Sequence, residues 1–145
     1  MTQKTEARFG FLYFWGKIGY MKKYTMQIVK GALVDPEALS KFNPKVSETF
    51  DDSEWGCLLE VELSLEEIKE VQKNLTKHYE GPIPWYMDGK LVDDENEIIV
   101  AFGADDGFGG KIFIFDKHDK ENYQKMLKHG IIVGIPEEQI NFINK

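Results

Sequence analysis

Carboxylates are the main chemical resource of this sequence. Asp93, Asp94, Glu95 and Glu97 open one apolar run, and Asp105 and Asp106 close it. Oxygen ligands in such numbers suit a hard cation such as Ca2+ or Mg2+. The D-x-[DN]-x-[DN]-G spacing of a calcium loop is missing, however, and acidic residues flanking a hairpin are commonly just solvated. As a catalytic acid/base pair, the same groups would need two environments that separate their pKa values, and the spacing supplies none. His118 stands between Asp116 and Asp119 and is the histidine best placed to act as a base. His78 and His129 fall near predicted helix ends, where an imidazolium simply favours the helix dipole. The three histidines have no zinc-type spacing, and no cofactor is expected.

Two further motifs resemble catalytic or ligand sites and fail on detail. The glycine-rich stretch 103–111 invites comparison with a phosphate-binding loop, but Asp105 occupies the position where that pattern needs glycine. Lys111 also opens a strand rather than a helix, and two carboxylates would repel the anion. Cys57 lies on the apolar side of a predicted strand, where cysteine behaves as a small inert hydrophobe. Being the sole cysteine, it forms no internal bridge, which favours a reducing, cytoplasmic setting.

Aromatic residues near carboxylates give a different signal. Trp85 and Tyr86 fall in a proline-flanked stretch, 84–89, read as a loop, and Trp55 follows Asp51 and Asp52. Trp, Tyr and Met anchor binding surfaces well, although such tryptophans also commonly close the edge of a core. Charge is distributed unevenly. Residues 51–106 hold 16 Asp/Glu against 4 Lys, a net of −12, while the flanks together carry +5 within a whole-chain charge of −7. An acidic middle and a single arginine, Arg8, argue against nucleic-acid binding, which relies on clustered Lys and Arg.

These residues must be positioned by elements that the hydrophobic pattern outlines. At 145 residues the chain suits one domain with one core and needs no disulfide or structural metal. The apolar run 9–15 is too short for a membrane span and lacks a signal-peptide cleavage site. It reads as a strand pairing in a hairpin with a second strand at 23–29. Asp35-Pro36 starts a short helix over 36–42. The alternation at 57–63 gives a half-exposed strand. It runs into a long helix, 64–79, marked by the Ser64/Glu67 capping box and an apolar stripe at Leu65, Ile68, Val71 and Leu75. Strands at 97–103 and 111–116 form a hairpin, both apolar on both faces and so expected to be central. A short helix around Tyr123, Met126 and Leu127 ends at Gly130, a strand follows at 131–135, and Pro136 opens a last short helix. The expectation is a single α+β domain with about six mostly antiparallel strands, one long helix and two or three short ones.

Function is carried as competing readings. The first is a non-catalytic binding or inhibitor-type module that docks a basic protein through an acidic, aromatic face built from Asp51, Asp52, Trp55, Trp85, Tyr86, Asp93 and Asp94. The second is a small-molecule or divalent-metal enzyme with a carboxylate-lined pocket near residues 93–106, drawing on Asp105, Asp106 and His118. The third is a domain that associates chiefly with itself, as a homo-oligomer. No nucleic-acid or membrane partner is expected.

Overall fold

The computed structural model describes residues 22–50, 55–75 and 84–140. They form an α+β fold around one six-stranded antiparallel sheet: β1 (Lys23–Val29), β2 (Lys45–Thr49), β3 (Cys57–Ser64), β4 (Tyr86–Leu91), β5 (Asp94–Phe102) and β6 (Ile112–Asp116). The spatial order is β2-β3-β1-β4-β5-β6. A 3-10 helix (Pro36–Phe42) and three α-helices accompany the sheet: α1 (Leu65–Gln72), α2 (Lys120–Ile132) and α3 (Glu137–Ile140).

Alternation along the strands sorts the two faces. In β1, Tyr24, Met26 and Ile28 are buried, while Lys23, Thr25, Gln27 and Val29 are only partly covered. The register places Met26 beside Val61 and Gly89, and Gly89 beside Ile99, so one apolar face runs across the centre of the sheet. α1 covers this face with buried Ile68 and Val71, next to Leu39 of the 3-10 helix. The local signals act as expected here. Asp35 accepts a hydrogen bond from the Glu37 amide, and Ser64 and Glu67 complete a reciprocal capping box. On the opposite face, α2 lies over β5 and β6, with the Tyr123 and Phe115 rings 6.3 Å apart. Among the described residues, no helix lies over the β3, β1 and β4 part of that face.

Several expectations are corrected. β1 bonds to β3 on one side and β4 on the other, and the strand expected at 9–15 lies outside the described residues. The helix beginning at Leu65 is described as helix only to Gln72, with a turn at Lys73 and Asn74; the remainder of 64–79 beyond Leu75 lies outside the described residues. Only β5 of the 97–116 hairpin is central. β6 is an edge strand, and Ile114 is 45% exposed.

Gly130 does not end its helix, and residues 131–135 form no strand. α2 continues to Ile132, and the missing Cβ at Gly130 instead makes room for the Ile140 side chain of α3. The terminator is Gly134, at φ 108°. The Gly134 amide donates to Ile131 O and the Ile135 amide to Gly130 O, the paired bonds of a Schellman motif, with Ile135 buried beneath.

Two strands escape the hydrophobic pattern. β2 is exposed at every position, and β4, read as an aromatic loop, contains Asp88 and Gly89, both poor strand formers.

Candidate binding groove

Among the described residues, the face of β3, β1 and β4 opposite α1 forms the floor of a groove. Its two adjacent cavities measure about 480 and 540 Å3. The first is bordered by Thr25, Leu91, Val92 and Glu95 near the β4–β5 turn, and the second by Val29, Glu48, Leu58, Trp55, Trp85 and Glu138. Gln27 and Asp88 line both, so these two residues mark the junction.

Cross-strand register explains why they meet. Gln27 of β1 lies opposite Glu60 on β3 and Asp88 on β4. A polar row therefore crosses the floor. The Gln27 amide nitrogen donates to Glu60 Oε1 at 3.2 Å, and the Ser47 hydroxyl donates to Gln27 Oε1 at 3.1 Å. Asp88 continues the row with no hydrogen bond or ion pair among the described residues, although Lys90 lies two residues along its own strand. Burial pushes the Asp88 carboxyl up to about 7, and the nearby Lys90 offsets only part of the effect.

Aromatic side chains build the wall at one end. The Trp55 and Trp85 rings lie 4.9 Å apart and are tilted by 43°, and Tyr86 follows 5.4 Å from Trp85. Trp85 is buried and Trp55 half-buried. The Tyr86 hydroxyl donates to the Gln139 carbonyl and so ties α3 to the groove rim.

The structure divides the other residues expected to form a site. Asp51 and Asp52 lie outside the described residues. Asp93 and Asp94 are exposed at the β4–β5 turn, at the far end of β4 from Trp85, with the groove running between. His118 is exposed in the turn after β6, at that same end of β5, with Nδ1 3.2 Å from Asp116 Oδ1. Asp105 and Asp106 follow the opposite end of β5, a nine-residue strand and so about 30 Å long. No single pocket joins Asp93, Asp94 and His118 to Asp105 and Asp106. Among the described residues, no group of three or more His, Cys, Asp or Glu side chains is arranged to hold a metal.

Asp106 has an architectural position instead. Its Oδ1 accepts from the Phe108 and Gly110 amides at 2.8 and 2.9 Å, and its Oδ2 accepts from the Lys111 amide at 2.9 Å. His129 Nε2 lies 2.9 Å from the same Oδ2. Burial opposes ionisation of Asp106, but these hydrogen bonds together hold its carboxyl below the usual range. The glycine-rich loop thus turns three amides onto its own carboxylate. Gln72 secures the loop from the other side by donating to the Phe102 and Gly110 carbonyls.

Sequence reasoning missed Asp88, Gln27, Glu48 and Glu138 as groove residues. A usable signal was present at 86–91, where Tyr86, Asp88 and Lys90 alternate with buried Met87 and Gly89. No helix among the described residues is long and apolar enough to cross a membrane. Compared with protein-family models, with curated proteins and with solved structures, the chain matches none.

Proposed function

We propose that this chain is a binding module that seats a basic, extended segment of a partner protein in the groove over β3, β1 and β4. The observation that carries this reading is the meeting of carboxylates with an aromatic wall: Asp88 in the floor, Glu48 and Glu138 on the sides, and Trp55 against Trp85. Carboxylates attract and orient a cationic segment, and the aromatic and aliphatic wall provides apolar contact once water leaves. Asp93 and Asp94, exposed beyond the groove's far end, add to the field that would draw such a segment in.

The test is a titration of the full chain with a lysine/leucine peptide and its glutamate/leucine counterpart, followed by tryptophan fluorescence. Salt is set at about 10 mM and about 150 mM, where screening lengths are about 30 and 8 Å. Saturable binding of the basic peptide alone, weakened at the higher salt, supports the reading. Equal binding of both peptides, or of neither, overturns it.

A second reading keeps the groove and changes the ligand to a small molecule handled by a carboxyl acid/base. The carboxyl of Asp88, raised to about 7, favours it, because such a group can give or take a proton near neutral pH. Turnover of a small substrate that is lost in Asp88→Asn would distinguish it from simple docking.

A further inference from the structure

We infer that the Asp88 carboxylate is the acceptor for one alkyl cation, a lysine-type ammonium or an arginine-type guanidinium, which enters where the two halves of the groove meet. The inference rests on the binding reading above and names the chemical group it recognises.

Four observations converge on Asp88. It lines both cavities, so a group held beside it borders each of them. Its neighbours have other partners: the Gln27 amide donates to Glu60, and the Tyr86 hydroxyl donates to the Gln139 carbonyl. A carboxylate offers about four acceptor positions, and on half-buried Asp88 no donor among the described residues fills them. Val29, Leu58 and the two indoles border one side and Leu91 and Val92 the other, leaving apolar surface for an alkyl stem.

The ionisable groups around it also favour a cation. Tyr86 and Lys90 come from its own strand, Glu60 from β3 beyond Gln27, Glu48 from β2, Glu138 from α3 and Glu95 from the β4–β5 hairpin, while the β1 residues that line the groove, Thr25, Gln27 and Val29, carry no ionisable group. Among the described residues Lys90 is the one cation in this set. A cation held against Asp88 stabilises its charged form, so capture below about pH 7 must release a proton, and affinity must rise with pH up to that value.

The experiment uses the full chain with n-butylammonium chloride, n-butylguanidinium chloride and neutral n-butanol as probes. The Asp88 carboxyl carbon is followed by NMR through a pH titration. The expected result is that one or both cations lower the Asp88 pKa by about one unit, a tenfold linkage, while butanol leaves it unchanged. The difference between the two cation arms identifies the preferred head group. An Asp88 titration unmoved by either cation at saturating concentration overturns the inference.

Asp88→Asn, confirmed as folded by its amide spectrum, should weaken cation binding about tenfold by the same linkage and leave butanol binding unchanged; equal affinity in the variant also overturns the inference. The two proposals fail separately. Peptide binding that Asp88→Asn does not weaken removes the anchor and leaves the module. Alkyl-cation binding at Asp88 without peptide binding retains the anchor and removes the module.

Discussion

His129 Nε2 lies 2.9 Å from Asp106 Oδ2, with the two side chains only 6% and 0% exposed. The contact fastens α2 to the loop between β5 and β6, and three loop amides converge on the same carboxylate. Asp106→Ala would leave those donors without their acceptor, and stranding a buried donor costs about 1 to 3 kcal/mol. Urea denaturation at neutral pH should show that loss. The pH dependence has a definite sign. Because the folded-state pKa of Asp106 is lowered from 3.8, its contribution is complete above that value and disappears as pH falls through the folded pKa. The stability gap between wild type and Asp106→Ala should therefore narrow in acid.

Gly103 and Gly56 should differ sharply when changed to alanine. A Cβ at Gly103 would overlap the Leu75 backbone carbonyl, so Gly103→Ala must displace the chain after α1 and should cost about 3 kcal/mol or more. Gly56 meets nothing within 4 Å, but its φ of 76° is left-handed. Gly56→Ala should cost only about 1 to 2 kcal/mol. Paired urea melts check the order, and a Gly103→Ala protein as stable as Gly56→Ala would contradict the close approach.

Leu75 is fully buried although it lies beyond the last helical residue of α1. Leu75→Ala should destabilise by about 2 to 5 kcal/mol. A loss below about half a kcal/mol, the range of surface changes, would show that the position is not core.

Asp88 should act in the opposite direction to Asp106. Its folded-state carboxyl, raised from 3.8 to about 7, keeps a proton that the unfolded chain has lost across that window. Stability from this group must fall as pH rises between those values and then level off. Asp88→Asn, with no charge to bury, should raise the urea midpoint at about pH 8, and the gain should shrink towards about pH 4. A gain that stays constant with pH would mean that Asp88 does not titrate in this way.

Elements with local signals were the ones legible in the sequence. Asp35-Pro36, the Ser64/Glu67 capping box and the Ile98–Phe102 run each carry their physical cause within a few residues. β2 was hidden because an edge strand exposed at every position has no buried alternation to reveal it. β4 was hidden because its glycine is required by the approach of β1, a tertiary contact: a Cβ at Gly89 would overlap Thr25 O and Met26. Gly130 and Gly134 show the same difficulty. Both read as terminators, and only packing against Ile140 distinguishes the first from the second. The groove's aromatic wall is legible in residue type; its polar floor is not. Trp55, Trp85 and Tyr86 were recognised as a group, whereas the carboxylate beside them depends on the pairing of Gln27 with Asp88 across distant strands.

The central position of β1 has a consequence for how the chain folds. β2 and β3 are joined by a short connection, as are β4, β5 and β6, so two antiparallel units can form from local contacts. β1 alone has both sheet neighbours distant in sequence, and its insertion unites the two units. Closing those long loops before their contacts can compensate is the slow event in such a topology. The rate-limiting barrier is therefore expected at the docking of β1. A core truncation in the docking strand, such as Met26→Ala, should slow refolding.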